Sequence, residues 1–235
     1  MREVSGGRDT VRQRRLYGRR RGRALRSGQR ALVDALLPRL RFSLPDNDRL
    51  DPRRIFAVLC REVWLEIGFG AGEHLIAQAA ARPEIGMIGC EVFEPGIARL
   101  LAEIEQRGLQ NIRLFTDDAR LLAAALAPRS LNRAFILFPD PWPKERHKKR
   151  RIVSAEMLDD LGAAMIDAAE LRIATDDPDY AQWIAERLEA HPDFETLPTA
   201  ERPADWPPTR YEQKAVAAGR VVRLFRARRR PWARG

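Results

Sequence analysis

Val63-Trp64-Leu65-Glu66-Ile67-Gly68-Phe69-Gly70-Ala71-Gly72 decides the fold. Four apolar residues and one acid run into three glycines at alternate positions. An apolar run of that length bounded by glycine reads as a buried strand ending in a tight turn. A helix pattern follows at once over 74–81. Working outward, strand patterns at 85–91, 111–115, 133–138 and 171–174 alternate with helix patterns over 96–107, 119–126, 154–168 and 178–189. Later strands are predicted at 194–197 and 220–227, and the proline-rich stretch 198–208 reads as loop. This alternation predicts an α/β fold, a doubly wound, mainly parallel, seven-stranded sheet. Upstream, residues 1–30 lack apolar periodicity and read as a flexible basic arm, with a helical pattern near 22–37, leaving 31–235 as a single domain.

The chain has 235 residues, 45% of them hydrophobic, enough for a sizeable core. No stretch approaches the roughly 18 apolar residues of a membrane-spanning helix, and the arginine-rich start has no apolar segment of a secretory signal. Cys60 and Cys90 form no CxxC pair, and His74, His147 and His191 have no ligand spacing, so neither a disulfide framework nor a metal site is expected. These features fit a cytoplasmic protein, monomeric or homodimeric. The net charge is +9, and residues 1–30, with eleven Arg against Glu3 and Asp9, carry all of it. The rest is neutral overall but uneven: Lys144–Arg151 holds six basic residues and one acid, and 226–235 holds five Arg and none. Basic patches on an otherwise acidic body suggest a polyanionic partner. A solvated tail and a general arginine bias, with 38 Arg against 4 Lys, account for the arm as readily.

In a doubly wound sheet, ligands bind at the carboxyl ends of the strands near the first crossover. Gly68, Gly70 and Gly72 let the backbone turn tightly and approach a ligand. A dinucleotide fingerprint would put its third glycine where Glu73 stands. Glu66 repels a pyrophosphate and suits a cation such as S-adenosylmethionine. Glu91, at the end of the second strand, is placed to accept ribose hydroxyls, and Asp118 or its neighbour Asp117 to accept from the adenine amino group. Chance remains the alternative, since acids are common at helix N-termini. After the fourth strand comes Phe138-Pro139-Asp140-Pro141-Trp142-Pro143-Lys144. Prolines brace Asp140, and an acid beside an aromatic suits a base gripped by edge and face. The basic run Arg146, His147, Lys148, Lys149, Arg150 and Arg151 suits phosphates.

Several motifs together resemble the bacterial tRNA (guanine-46-N7)-methyltransferase family. They are Leu65-Glu66-Ile67-Gly68-Phe69-Gly70-Ala71-Gly72, Gly89-Cys90-Glu91-Val92, the Phe138–Lys144 loop with its basic tail, Ala174-Thr175-Asp176 and Thr209-Arg210-Tyr211-Glu212-Gln213-Lys214. Tyr17-Gly18-Arg19-Arg20-Arg21-Gly22-Arg23 in the arm is also similar. The resemblance spans about residues 17–228. It implies a class I methyltransferase fold and methyl transfer from S-adenosyl-L-methionine to N7 of guanine 46 in the tRNA variable loop, with S-adenosyl-L-homocysteine as product. It implies Glu66, Gly68, Gly70, Gly72, Glu91, Asp118 and Asp140 at the cofactor, with Asp140 also catalytic. Lys144, Asp176, Thr209, Arg210, Tyr211 and Glu212 would meet the substrate, and Arg146–Arg151 the RNA. The family's Lys-Pro-Gly-Gly turn before the fifth strand is Ile166-Asp167-Ala168-Ala169 here, and its Thr-Lys-Phe-Glu is Thr209-Arg210-Tyr211-Glu212.

Overall fold

The computed structural model describes residues 17–232 apart from Arg19, Arg23, Asn47 and Ala200. Residues 1–16, the outer part of the expected arm, lie outside the described residues. The elements run α1 (Ser27–Leu40), β1 (Glu62–Ile67), α2 (Glu73–Ala81), β2 (Ile85–Cys90), α3 (Glu94–Arg107), β3 (Ile112–Phe115), α4 (Ala119–Ala125) and β4 (Leu131–Leu137). They continue as α5 (Ala155–Ala164), β5 (Met165–Thr175), α6 (Pro178–Ala190), β6 (Phe194–Leu197), α7 (Arg210–Ala217) and β7 (Arg223–Arg229). The sheet order is β3-β2-β1-β4-β5-β7-β6. The first five strands are parallel, and β7 runs antiparallel between β5 and β6. The order reverses between β1 and β4, so a crevice opens at their carboxyl ends.

The two-residue period of β1 divides the core. Val63, Leu65 and Ile67 join Leu122 of α4, Leu158 and Leu161 of α5 and Ile184 of α6 on one face. Trp64 joins Leu40 of α1, Leu75 of α2 and Leu100 of α3 on the other. Alternate side chains of a strand share a face, so Glu66 falls on the Trp64 side, under α2. It is 2% exposed, an acid in an apolar layer.

Several local expectations change. The helix expected over 154–168 ends at Ala164, and β5 starts at Met165 instead of near 171. Ala and Met favour helix locally, but Ala168 adopts φ 62° and the β4–β5 register shifts, so the strand bulges and continues. Ala168 thus occupies a backbone conformation that glycine adopts more easily. The basic loop after the Asp140 motif folds into a 3-10 helix, Glu145–Arg150. The helix α7 was not foreseen, although Thr209-x-x-Glu212 is a capping-box pattern. Thr209 Oγ1 accepts from the Glu212 amide at 3.1 Å. The boundary expected at residue 30 falls within α1, where Arg30 pairs with Glu94 at 2.7 Å.

The loop between β6 and α7 buries Trp206 and brings Asp205 against Arg133 (2.6 Å) and Arg172 (2.9 Å). Burial alone would raise the Asp205 carboxyl. Hydrogen bonds from Arg172 and Arg133, with their charges, outweigh it and hold the value down to about 2. A carboxyl that titrates below its unfolded value of about 3.9 contributes stability above that pH, and the contribution is lost as pH falls through the folded value. The urea midpoint of the wild-type chain is therefore expected to exceed that of Asp205→Asn at pH 5. The gap should close between about pH 4 and pH 2. A gap independent of pH across that window would show that the pair does not stabilise through ionised Asp205.

Candidate active site

The crevice holds two adjoining cavities that share Gly68, Gly70 and Phe138. The first, about 370 Å³, is lined by Ile67, Glu91, Asp117, Asp118, Asp140 and Trp142, among others. The loop after β1 turns through positive φ at Gly68 (73°), Gly70 (56°) and Gly72 (80°), which a side chain would strain. Glu91 is anchored by that backbone. Its Oε2 accepts from Gly70 N at 2.9 Å, and its Oε1 accepts from Val92 N (2.7 Å) and Phe93 N (3.0 Å). Asp118 is buried, caps α4, and takes the Arg120 guanidinium at 2.5 Å. Asp117 is exposed and faces Arg20 at 3.6 Å. Burial, and then the charges of Glu91, Asp118 and Asp117, push the Cys90 thiol well up, so this wall carries a negative field around a neutral thiol.

Asp140 sits on the rim of this cavity, exposed, and among the described residues no hydrogen bond or ion pair engages its carboxylate. Its loop is fixed instead of its side chain. Phe138 and Trp142 flank it at φ 52° and 44°, conformations that cost about 1–3 kcal/mol each and persist only where the surroundings impose them. Arg151 supplies one restraint, its Nε donating to Pro141 O at 2.8 Å. Arg150 supplies another, its guanidinium lying 4.9 Å from the Trp142 ring and 4.7 Å from Tyr17. Tyr17, the first described residue of the arm, thereby lines the cavity, as does Gly18. Tyr17 and Arg150 were not anticipated here, since nothing in the sequence brings the arm to this loop.

The second cavity, about 380 Å³, is lined by Glu66, Glu73, His74, Arg99, Phe138, Thr209, Arg210, Tyr211 and Lys214, among others. Of the residues assigned to substrate, Thr209, Arg210 and Tyr211 meet here. Tyr211 is 5.0 Å from Phe138, and the Arg210 amide donates to Glu73 Oε2 at 2.7 Å. Glu212 does not line either cavity; it is buried against Arg202. Asp176 also lines neither and pairs with Arg220 at 2.5 Å. Glu66 joins this second cavity, not the first, and Lys214 and Arg99 are lining cations that the sequence reading missed.

The basic run divides into two groups. Lys144, Arg146 and Lys149 are exposed and unpaired among the described residues. Partial desolvation, then the charges of Arg150, Arg146, Lys144 and Lys149, lower the His147 value, as expected in a positive field. Lys148 is held by Glu145 (2.9 Å) and Asp179 (3.2 Å). Arg151 corrects the expectation of an RNA contact. Its side chain is fully buried, ion-paired with Asp179 and stacked at 4.7 Å on Tyr180 and 5.0 Å on Trp183. No group of three or more His, Cys, Asp or Glu among the described residues is arranged to hold a metal ion.

A glycine-turned loop after β1, a backbone-anchored acid ending β2 and a cleft at the reversal of strand order define a class I methyltransferase. A family model described as "Putative methyltransferase" matches residues 60–224. A tRNA (guanine-N(7)-)-methyltransferase of Paramagnetospirillum magneticum is 52% identical over 222 residues, covering 92% of this chain and 93% of that one. One of Rhodospirillum rubrum is 48% identical over 225 residues, covering 92% and 88%. Among solved structures, a 16S rRNA (adenine(1408)-N(1))-methyltransferase mutant from Catenulisporales acidiphilia aligns with a TM-score of 0.53 at 16% identity, over 74% of this chain and 88% of that one. That likeness speaks for the fold. The chain belongs to the tRNA (guanine-N7-)-methyltransferase family.

Proposed function

We propose that this enzyme transfers a methyl group from S-adenosylmethionine to N7 of guanine 46 in the variable loop of tRNA, leaving 7-methylguanosine and S-adenosylhomocysteine. The observation that carries the reading is the carboxylate of Asp140, unpartnered among the described residues and held by a strained, braced loop where a nucleoside-sized cavity meets an aromatic one. The names of the relatives supply the tRNA guanine, and the resemblance of motifs supplies position 46.

The first cavity fits the nucleoside of the cofactor, in volume and in the chemistry of its donor set. Glu91 already accepts three backbone N–H bonds and keeps acceptor capacity on Oε2 for a ribose hydroxyl. Asp117 or Asp118 accepts from the adenine amino group; Asp117 has the more accessible carboxylate, because Asp118 caps α4 and holds Arg120. Glu66 lines the second cavity, where a positively charged amino-acid end reaching past Gly68 and Gly70 would find it. When bound, S-adenosylmethionine supplies an electrophilic methyl group on a sulfonium. Guanine N7 has a free in-plane lone pair and no proton to lose, so the chain needs no general base. Its work is to hold the two reactants in line at near-attack distance. The aromatic walls Phe138 and Tyr211 stack the base, and Asp140 accepts from guanine N1–H and N2–H₂. Lys144, Arg146 and Lys149 take the phosphates beside it.

Glu91→Ala is expected to weaken cofactor binding by about 1–3 kcal/mol, the scale of hydrogen bonds to a charged acceptor. It also frees the Gly70 amide. Calorimetric titration measures it, and unchanged affinity would remove Glu91 from the cofactor site. The test of the function as a whole is the mapping of 7-methylguanosine in tRNA treated with the purified chain and S-adenosylmethionine. Modification at another position, or of free nucleosides in preference to tRNA, would overturn it.

A further inference from the structure

Glu66 is buried, yet among the described residues it forms no ion pair with Arg or Lys. The only hydrogen-bond partner of its carboxylate among the described residues is His74, whose Nδ1 lies 2.7 Å from Glu66 Oε2. His74 is itself 2% exposed, packs against Phe135 at 4.6 Å, and begins a row spaced by four residues, His74 and Gln78 on α2 and Arg82 at its C-cap. Residues four apart share a helix face. The row is hydrogen-bonded throughout. Arg82 Nη1 donates to Gln78 Oε1 at 2.7 Å, Gln78 Nε2 donates to Asp205 O at 2.7 Å, and the same nitrogen lies 3.0 Å from His74 Nε2.

This chain of bonds fixes the tautomer. A guanidinium only donates and a backbone carbonyl only accepts. Reversing the Gln78 amide would set its NH₂ against Arg82 and its oxygen against Asp205 O, two like pairs. Gln78 Nε2 is therefore the donor, and His74 Nε2 must offer it a lone pair. The single ring proton then sits on Nδ1 and is donated to Glu66.

We infer that His74 is a positioning residue for the methyl donor. As the neutral Nδ1–H tautomer, imposed by Gln78, it orients the Glu66 carboxylate so that the second oxygen meets the ammonium of the donor's amino-acid end. The inference deepens the proposed function and rests on its assignment of Glu66. Asp205, whose carbonyl accepts from Gln78, belongs to the loop that leads into Thr209 and α7, so the donor acid and the base cavity share one hydrogen-bonded support.

The test compares two probes on the full-length chain. S-adenosylhomocysteine carries the amino-acid end, and 5′-methylthioadenosine lacks it. His74→Leu removes the donor while filling the space. It should weaken S-adenosylhomocysteine about tenfold, the scale of one charge-assisted hydrogen bond, and leave methylthioadenosine unchanged. His74→Asn, whose amide reaches the position of Nδ1, should recover most of the loss. Nitrogen-15 chemical shifts should report a protonated Nδ1 and a bare Nε2 in the wild-type chain. Equal weakening of both probes in His74→Leu, no weakening of either, or a proton on Nε2 overturns the inference. Glu66→Gln separates it from its premise. If that variant binds S-adenosylhomocysteine as the wild type does, the assignment of Glu66 falls, and the role of His74 with it. If it weakens that probe alone while His74→Leu binds both normally, the assignment stands and only the role of His74 falls.

Discussion

Asp140→Asn is expected to lower kcat on tRNA by about two to three orders of magnitude while the fold survives, the effect of removing one preorganised group aimed at developing charge. The argument starts from the target atom. As N7 takes the methyl group, positive charge spreads over the purine, and N1–H and N2–H₂ become stronger donors. A carboxylate accepting from both is more favourable in the transition state than before it. The amide has the same shape, but one end turns from acceptor to donor and the charge is lost. The structure makes the exchange a clean one, because Asp140 holds up nothing: it has no partner among the described residues, and its loop is braced by Arg151 and Arg150 instead. Melting temperature should therefore stay near wild type. An Asn variant that methylates tRNA at close to the normal rate would reduce Asp140 to a surface residue of a rigid loop.

Neutralising Lys144, Arg146 and Lys149 together to Gln is expected to raise the apparent KM for tRNA roughly a hundredfold near physiological salt. The dependence of log KM on log salt should flatten by about two to three units, since each neutralised phosphate contributes about 0.7–0.9. These three are chosen because they are exposed and unpaired among the described residues, whereas in the same run Lys148 is held in surface ion pairs and Arg151 is buried. Phosphate contacts position the RNA and read no base, so kcat at saturating tRNA and affinity for S-adenosylhomocysteine should change little. Steady-state kinetics at four salt concentrations decide it. An unchanged salt slope would mean that the tRNA approaches from another side, with Arg99, Arg210 and Lys214 at the second cavity as the next cations to test.

The strands around the cleft and the glycine loop were legible in the linear sequence because local physics constrains them tightly. A parallel strand buried on both faces reads as a nearly continuous apolar run, and three positive φ values at alternate positions are cheap only for glycine. The carboxylates at the strand ends follow from the same reasoning, since the sheet's topology puts every such end at the crevice. The loop around Asp140 was legible for a related reason: proline restricts the chain wherever it stands.

Other features depended on which surfaces meet. Arg146 and Arg151 are alike in type and five residues apart, yet one faces solvent and the other is enclosed by Tyr180, Trp183 and Asp179 from α6. Met165–Ala168 has helix-forming residues but joins a strand, because Met165 pairs with Leu131 of β4 and the strand runs on into Glu170–Thr175, whose pairing with β4 and β7 outweighs local propensity. Glu66 reads as a cofactor acid from its place before the glycines, but its partner His74 is identified only once β1 lies under α2. Tyr17 reaches the cavity only because the arm crosses the carboxyl edge of the sheet, where Arg150 receives it. Backbone preferences act within a few residues and can be read along the chain. Burial, ion pairing and the direction of a side chain belong to segments far apart in sequence, and they take a value only when the layers pack.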